Sequence, residues 1–492
     1  MFNFTAECIA KVCSGKIIAG SPKRAAQSCS IDSRQAEQDG LFAAFVGKQS
    51  DGHDYIASAV DRGASVILAS KVGSDFGSFS DRATSILVDD VLIALQDLAK
   101  YQRSLISCPV IGITGSSGKT STKELLKGAL ESSLKVIATE GNYNNELGVP
   151  LTLLRVRQGT EAVILEMGMR GLGQITELTD IARPTMSIIT TIGDAHIEML
   201  GSRENIARAK GEIFEALSED QLAFMPARVE FGDYLRSVCK ASLVTVAIED
   251  SYDAAHMSQS AISAYIKGFD AQGNATVLVV FSMGDELEMK LAIPGEHSVQ
   301  NALLALAVAK ILGIESAVAI KGVEGVQPTD MRMQRAKVNT LIDIQDSDIL
   351  VDCYNANPES TAASLKTLAV SDLGNPSTGK RIAVLGDMLE MGDHSAKVHK
   401  DILLLSGLLN IDVVYTFGQA YTDATQDILR ELSTGLNTEN IPELRSFTDM
   451  KLLIRSLSSE LTSGSLILIK GSRSMQMERI REALSVEGDN PC

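Results

Sequence analysis

Short apolar runs alternate with helical patterns along most of the chain. In its central part, the runs predict strands at 110–113, 135–138, 162–166, 186–191, 222–225 and 276–281. Between these runs, apolar residues recur with helical spacing, as in Thr120–Leu130 and Glu204–Leu217. Strands that are apolar throughout are typical of a parallel sheet that helices cover on both faces. The pattern therefore predicts an α/β fold with a central parallel sheet.

Segments of the same class flank the central one. Residues 1–106 carry modest strand and helix signals and close with a helical pattern at Val91–Tyr101. Beyond the central part, the pattern predicts strands at 349–353, 381–385, 413–417 and 465–469 and helices at 358–370, 395–409 and 448–460. We therefore expect three domains: a small N-terminal α/β domain over 1–106, a central parallel-sheet domain over 107–328 and a C-terminal Rossmann-like domain over 329–492.

A glycine-rich turn, Thr114-Gly-Ser-Ser-Gly-Lys-Thr-Ser121, joins the first central strand to the helix after it. Strand, turn and helix in this order place free backbone N–H groups at a helix N-terminus, where the helix dipole favours an anion. Gly115 and Gly118 allow the tight bend around a phosphate. Lys119 can neutralise the β- and γ-phosphates, and the Thr120 hydroxyl can reach Mg²⁺. An ordinary βα turn with an exposed lysine is the alternative, but the context favours a central domain like that of phosphate-loop ATPases.

Three residues beyond other central strands are candidates to act with this loop. Glu166 ends strand 162–166, at the sheet edge where α/β proteins bind ligands, and can hold Mg²⁺ unless it is a helix cap or salt-bridge partner. His196 follows the next strand and can bind a second metal ion, although a lone histidine is more often structural. Lys210 falls on the apolar face of a helix, where burial should lower the pKa of its amine unless the side chain reaches water.

Polar clusters follow three of the C-terminal strands, at Asp352–Pro358, Gly386–Gly392 and Lys470–Ser474. The carboxyl ends of parallel strands share one sheet edge, so we expect these clusters to form one pocket. They supply amides, carboxylates, a lysine and an arginine, which suit a small zwitterion with one amine and one carboxylate. Ordinary turn chemistry is the alternative for each cluster taken alone.

The N-terminal segment contains one candidate binding turn, Ile31-Asp-Ser-Arg34. Its Ser33 hydroxyl and Arg34 guanidinium can bind a diphosphate. A salt bridge within the turn is the more common explanation of such a sequence.

Charge and cysteine content limit the kinds of molecule that the protein can bind and the compartment in which we expect it. The 492-residue chain has a formal net charge of −17, which argues against binding to a nucleic-acid backbone. Its seven cysteines include no C-x-x-C pair, which favours reduced thiols in a cytoplasmic protein. No signal peptide is visible, and no apolar run approaches the roughly 18 residues that a membrane-spanning helix needs.

Taken together, these segments resemble the Mur ligases, ATP-dependent amide-forming enzymes of peptidoglycan precursor synthesis. The resemblance covers nearly the whole chain and is carried by Thr114–Thr120, Gly141–Asn145, Glu166, His196, Ala209–Phe214, Asn301, Arg332 and Asp352. It implies that ATP is bound by Gly115, Ser116, Ser117, Gly118, Lys119, Thr120, Ser121, Asn301, Arg332 and Asp352. It implies that Mg²⁺ is held by Thr120, Glu166 and His196. It also implies a catalytic set of Lys119, Lys210 and His196, with Lys210 carbamylated.

The resemblance extends to the substrates. Ser33 and Arg34 match the segment that binds the UDP end of the nucleotide substrate, which makes residues 1–106 a UDP-precursor-binding domain. The motifs Leu385–Gly392 and Lys470–Met475 resemble the family member that joins D-alanyl-D-alanine to UDP-N-acetylmuramoyl-tripeptide. We expect the incoming dipeptide to be bound by Asn355, Asn357, Lys470 and Arg473.

The implied protein is a cytoplasmic monomer that uses ATP and Mg²⁺ and binds no nucleic acid. One alternative is the preceding Mur ligase, which adds the third amino acid of the peptide. A ligase similar to folylpolyglutamate synthetase is a second alternative, although it would not need about 100 residues before the phosphate loop, a length typical of a domain. A nucleotide-binding switch without enzymatic activity is the third, but it would not require a carboxylate, a histidine and a buried lysine beside the loop.

Overall fold

Three large sheets organise the chain, each built from one of the three segments that the sequence predicts. A computed structural model describes residues 3–47, 50–72, 76–250, 260–282, 284–338, 347–433 and 441–485. The predicted α/β class is confirmed, while the exact domain boundaries stay a prediction. None of the helices in these ranges is long and apolar enough to cross a bilayer.

The N-terminal segment forms a five-stranded sheet with the strand order β2-β7-β6-β5-β4, in which β2 alone runs antiparallel to its neighbour. A separate short antiparallel pair, β1 and β3, lies beside it. The strands are β1 Phe4–Thr5, β2 Lys16–Ala19, β3 Ala25–Ala26, β4 Ser28–Ser30, β5 Gly40–Ala43, β6 Ala64–Ala69 and β7 Thr84–Leu87. The helices are α1 Ala6–Val12, α2 Ile56–Asp61 and α3 Val91–Ser104.

The central segment forms a nine-stranded sheet with the order β16-β15-β14-β13-β12-β11-β8-β10-β9. Its strands are β8 Val110–Thr114, β9 Val136–Ala138, β10 Ala162–Glu166, β11 Met186–Ile189, β12 Leu222–Pro226, β13 Ser242–Glu249, β14 Ile262–Phe269, β15 Ala275–Phe281 and β16 Glu286–Lys290. Its helices are α4 Lys119–Glu131, α5 Gly148–Leu154, α6 Gln174–Ala182, α7 Ile197–Leu200, α8 Arg203–Glu215, α9 Gly232–Val238, α10 Glu296–Ile311 and α11 Ser316–Glu324.

This central sheet is mixed rather than wholly parallel. The seven strands β8 to β14 pair in parallel with their neighbours in this group, whereas β15 and β16 run antiparallel at one edge. The predicted strand at 276–281 is therefore present as β15, but it belongs to the antiparallel edge. An apolar run indicates a buried strand without indicating the direction of its neighbours.

The C-terminal segment forms a six-stranded sheet with the order β17-β18-β22-β19-β20-β21, in which only β17 is antiparallel. Its strands are β17 Gln334–Lys337, β18 Asp348–Asp352, β19 Arg381–Gly386, β20 Val413–Phe417, β21 Glu443–Phe447 and β22 Leu466–Lys470. Its helices are α12 Pro358–Val370, α13 Ser395–Leu408, α14 Gln419–Ser433, α15 Met450–Glu460 and α16 Glu478–Ser485. The four strands and three helices predicted here are all present within one or two residues at each end.

Burial explains which elements hold the phosphate loop. β8 and β10 are buried along their whole length, as expected for strands with helices on both faces. α10 is apolar on nearly every side and packs against both α4 and β13. The loop after β8 is therefore anchored between a buried strand and a helix that α10 covers.

Candidate active site

One cavity of about 780 Å³ lies where the carboxyl ends of the central strands face the carboxyl ends of the C-terminal strands. The predicted site residues that line it are Ser116, Ser117, Gly118, Lys119, Thr120, Ser121, Glu166, His196, Asn301, Arg332, Asp352, Asn355, Asn357 and Lys470. The predicted residues that do not line it are Gly115, Lys210, Ser33, Arg34 and Arg473. The shared sheet edge expected from topology therefore brings most of the predicted set together.

The phosphate loop is held in a bent conformation by the segment after β11. The backbone N–H of Ser116 donates to the Thr191 carbonyl at 2.9 Å, and the N–H of Ser117 donates to the Thr191 hydroxyl at 3.0 Å. Gly118 has φ +81 and is the N-cap of α4, where a Cβ would meet the Asn301 amide oxygen at 2.8 Å. No side chain of the described residues caps this helix, so its first N–H groups remain available for an anion.

Lys119 begins α4 and reaches back over the loop. Its ammonium donates to the Gly115 carbonyl at 2.7 Å. Burial lowers the pKa of Lys119, although the nearby Glu166 carboxylate opposes that shift. A cation at the start of a helix, above a ring of backbone donors, is the arrangement that binds a nucleotide polyphosphate.

Glu166 is buried at the end of β10 and faces the loop. One carboxylate oxygen accepts from the Thr120 hydroxyl at 2.8 Å, and the other accepts from the Asn144 amide at 2.8 Å. A hydroxyl and a carboxylate beside a phosphate loop are the hard oxygen donors that Mg²⁺ prefers. The described residues contain no cluster of three or more His, Cys, Asp or Glu able to hold a metal ion. Mg²⁺ fits such a site, because in phosphate sites it takes few protein ligands and completes its shell with phosphate oxygens and water.

His196 follows β11 and adopts a left-handed backbone conformation, with φ +66. Its Nδ1 lies 2.6 Å from an oxygen of Glu390, which belongs to the C-terminal cluster Gly386–Gly392. Burial lowers the pKa of His196, Glu390 opposes the shift, and the cations of Lys210 and Lys119 add to it. The C-terminal cluster therefore reaches the central domain through Glu390, a contact absent from the predicted site.

Lys210 is buried in α8, as its position on the apolar face predicts. Its amine has no hydrogen-bond or ion-pair partner anywhere in the described ranges. Burial, reinforced by the charge of Lys119, holds the pKa of Lys210 well below its ordinary value. The predicted burial of this lysine is confirmed, and its amine is close enough to the Lys119 ammonium for the two charges to interact.

The opposite wall of the cavity carries an ion pair and a stacked arginine. The ammonium of Lys470 donates to the Asp352 carboxylate at 2.6 Å and to the Asn355 carbonyl at 3.2 Å. Burial alone would raise the pKa of Asp352, but Lys470 and further hydrogen bonds lower it below its ordinary value. The guanidinium of Arg332 lies 4.1 Å from the ring centroid of Tyr354. These flat and charged groups can hold a base, a ribose and a phosphate.

Asn357 connects the two walls. Its side chain accepts from the N–H of Ser360 at 2.8 Å and so caps α12, while its amide donates to the Ser116 carbonyl at 3.4 Å. The cluster after β18 therefore combines ordinary helix-cap chemistry with a contact to the phosphate loop.

Three other predicted segments lie apart from this cavity. Arg473 is half-exposed and pairs with Glu478 at 2.8 Å. Arg34 lies in the N-terminal domain, where its guanidinium donates to both carboxylate oxygens of Asp32. Asp387 accepts hydrogen bonds from the backbone N–H groups of Ala420 and Tyr421 at the start of α14, so its carboxylate stabilises the beginning of that helix.

A further contact joins the central and C-terminal domains at Glu359. Its carboxylate accepts from the Asp194 N–H at 2.8 Å and from Arg203 at 3.3 Å, while Arg203 also holds both oxygens of Asp194. Burial, with the neighbouring Asp194 carboxylate, raises the pKa of Glu359 to about 7. Sequence reasoning missed this residue, and the only available signal was its place beside the Asp352–Pro358 cluster.

Family models match most of the chain. The Mur ligase family catalytic domain matches residues 26–103, the Mur ligase middle domain matches residues 113–309, and the Mur ligase glutamate ligase domain matches residues 331–473.

Individual proteins match over nearly their whole length. The UDP-N-acetylmuramoyl-tripeptide–D-alanyl-D-alanine ligase of Bacillus subtilis (strain 168) is 33% identical over 91% of this chain and 91% of its own. A crystal structure of MurF from Acinetobacter baumannii is 28% identical, covers 98% of each chain and has a TM-score of 0.82. The MurF ligase of Thermotoga maritima, solved in complex with ADP, is 26% identical, covers 93% of this chain and 97% of its own, and has a TM-score of 0.74.

Proposed function

The chain belongs to the Mur ligase family, and from that premise we propose that it joins D-alanyl-D-alanine to UDP-N-acetylmuramoyl-tripeptide, with cleavage of ATP to ADP and phosphate. The observation that carries the proposal is the cavity itself. The phosphate loop forms one wall and the Asp352–Asn357 cluster forms the other, so a nucleotide and an acceptor amine can meet between two domains. The names of the relatives support the choice of this reaction within the family.

ATP binds with its phosphates on the loop. Lys119 and the free N–H groups at the start of α4 neutralise the β- and γ-phosphates. Asn301 lies beside Gly118 of the loop, whereas Arg332 and Asp352 hold the remainder of the nucleotide from the opposite side of the cavity. Ser116, Ser117 and Ser121 line the cavity on the side of the phosphate loop and add hydroxyl donors.

Mg²⁺ is the proposed metal, and Thr120, Glu166 and His196 are its proposed protein ligands. When bound, Mg²⁺ would offset charge on the phosphate oxygens. The paired Thr120 hydroxyl and Glu166 carboxylate support this assignment because they already face the loop.

Lys210 is proposed to react with CO₂ and form a carbamate. The neutral amine attacks the carbon of CO₂, a new N–C bond forms, and one proton leaves to solvent. A lowered pKa and the absence of a described partner both favour the reactive neutral amine. The resulting anion would be stabilised by the nearby charge of Lys119.

The amide forms in two steps. The terminal carboxylate of the tripeptide attacks the γ-phosphorus of ATP, ADP leaves, and an acyl phosphate results. The amine of D-alanyl-D-alanine then attacks the acyl carbon, phosphate leaves, and the amine loses its proton as the amide forms. Acyl phosphates hydrolyse in water, so closure of the C-terminal domain over the loop protects the intermediate.

Substrate contacts stay proposals. Ser33 and Arg34 hold the UDP end, with Arg34 first released from Asp32. Asn355, Asn357, Lys470 and Arg473 are assigned to the dipeptide. Lys470 is already ion-paired with Asp352, so it contributes to substrate binding mainly through that ion pair. Arg473 must break its ion pair with Glu478 before it can bind the carboxylate of the dipeptide.

The domain boundaries at 106 and 328, a monomeric state and a cytoplasmic location complete the proposal. The first boundary falls between α3 and β8, and the second falls between α11 and β17.

A panel of amines tests the function. The enzyme is incubated with ATP, Mg²⁺ and UDP-N-acetylmuramoyl-tripeptide, and ADP release is measured with D-alanyl-D-alanine, single amino acids or glutamate. We expect ADP release to require both the nucleotide-peptide and D-alanyl-D-alanine. If lysine or diaminopimelate with the UDP-dipeptide reacts faster, the protein is the preceding ligase of the series. If no amine stimulates ADP release, the ligase proposal fails.

A further inference from the structure

The C-terminal domain touches the phosphate site at one side chain whose role the proposed reaction leaves unassigned. Glu390 lies in the loop after β19, and its carboxylate is 2.6 Å from Nδ1 of His196. The two residues are separated by 194 positions in the chain. The contact exists only when the C-terminal domain is docked on the central domain.

Both residues of this contact have an unusual backbone conformation. His196 has φ +66 and Glu390 has φ +63, both in the left-handed region that residues with side chains rarely adopt. The N–H of Glu198 donates to the Glu390 carbonyl at 3.2 Å, which adds a backbone bond between the same two loops. Two left-handed residues facing each other across a domain boundary indicate a constrained contact rather than a chance surface pair.

Further contacts keep the Glu390 loop in place from inside the C-terminal domain. His399 is fully buried and accepts from the N–H of Met388 at 2.9 Å, and the Ser472 hydroxyl accepts from the N–H of Leu389 at 2.9 Å. Asp387 is tied to the start of α14. The loop therefore presents Glu390 as part of the folded domain.

The consequence for His196 follows from the chemistry of imidazole. When Glu390 accepts a hydrogen bond from Nδ1–H, the proton is held on that nitrogen, and Nε2 keeps its lone pair. His196 lines the cavity, and Nε2 has no partner within the described residues. A carboxylate that orients a ligating histidine in this way is a common support of metal sites.

We propose that Glu390 is a positioning residue, which fixes the ring of His196 with Nε2 available to Mg²⁺ when the C-terminal domain docks. The inference rests on the proposed function for the identity of the metal. It adds that the metal site is completed across two domains, because its supporting carboxylate comes from the C-terminal domain and its ligands come from the central domain.

The test measures Mg²⁺-dependent ADP binding by calorimetry, together with the separate kinetic constants for Mg²⁺ and for turnover. Glu390→Ala removes the acceptor, and we expect Mg²⁺ affinity in the presence of ADP to fall about 10- to 100-fold. Glu390→Gln keeps an acceptor oxygen and should lose less. Binding of ADP without Mg²⁺ should change little in either variant. The pair is partly exposed, so both variants should fold.

Two controls separate positioning from other effects. Glu198→Ala removes an exposed carboxylate two residues from His196 whose side chain makes no described hydrogen bond, and its Mg²⁺ affinity should stay at the wild-type value. Glu359→Ala breaks a different contact between the same domains, with Asp194 and Arg203, and leaves His196 untouched. Its Mg²⁺ affinity should therefore fall much less than that of Glu390→Ala.

The outcomes are distinct. If Glu390→Ala keeps its Mg²⁺ affinity within about two-fold, the positioning role is refuted. If Glu359→Ala loses as much affinity, general loss of docking explains the effect and the specific role is again refuted. If the wild type binds Mg²⁺ and ADP with the expected dependence on Glu390 but forms no amide, the inference stands while the proposed function fails.

Discussion

Lys119→Met removes the cation above the phosphate loop while keeping most of the side-chain volume. The lost group is the ammonium that donates to the Gly115 carbonyl at 2.7 Å. In the proposed reaction, that ammonium offsets negative charge that grows on the phosphate oxygens as the γ-phosphoryl group is transferred.

The size of the effect follows from what remains at the site. The N–H groups at the start of α4, the Thr120 hydroxyl and Arg332 stay in place, so the variant loses one donor of several. Removing one preorganised donor from such a site lowers kcat by about 10²- to 10³-fold, or about 3 to 4 kcal/mol. Stability should change little, because a lost hydrogen bond worth about 1 kcal/mol is offset by relief of a buried charge.

The assay is ADP release at saturating substrates, combined with thermal unfolding. Lys123→Met is the matched control. Lys123 lies one turn further along α4, is buried, and donates to the Thr139 carbonyl at 2.7 Å, but it does not line the cavity. Lys123 is also ion-paired with the Glu124 carboxylate at 2.8 Å, so its replacement leaves that carboxylate and the Thr139 carbonyl unpaired. This control should therefore lose about 1 to 3 kcal/mol of stability and keep its turnover below its unfolding temperature.

The reasoning is refuted if folded Lys119→Met keeps turnover within about tenfold of the wild type. It is also refuted if Lys123→Met loses turnover to the same extent, because the effect would then come from disturbing α4 rather than from removing a charge at the phosphates.

Three further changes have defined outcomes. Lys210→Ala should be nearly inactive and partly restored by small carboxylates that replace the carbamate, whereas a fully active Lys210→Arg would contradict the carbamate. Gly118→Ala places a Cβ at φ +81 and 2.8 Å from the Asn301 amide oxygen, so calorimetry should show weaker ADP binding by about 1 to 2 kcal/mol. Glu359→Gln should change the pH dependence of stability. Burial and Asp194 raise the folded pKa of Glu359 from 4.5 to about 7, so the folded state takes up a proton in that window and wild-type stability falls as pH rises through it. Thermal unfolding from pH 4.5 to 7 should show a smaller fall for the variant, and parallel curves would contradict the assignment.

Local pattern was sufficient for the strands that precede the site and for the phosphate loop. β8, β10 and β18 are nearly continuous apolar runs, because a parallel sheet buries both faces and each residue in turn must be apolar. The phosphate loop after β8 can be predicted from the sequence, because tight turns and phosphate contacts require particular residues at adjacent positions. The buried Lys210 was also visible, since helical spacing alone places it on an apolar face.

Docking between domains decided the rest. The carboxylates of Glu390 and Glu359 contact partners 194 and 165 positions away. Glu390 lies in a loop and Glu359 in the first turn of α12, and both local sequences are equally consistent with solvent exposure. The antiparallel edge formed by β15 and β16 could not be predicted for a different reason. An apolar run carries no information about the direction of the neighbouring strands. Periodicity reports how one residue is buried relative to its neighbours in sequence. Contacts across domains depend instead on which surfaces meet, and only the tertiary structure determines that.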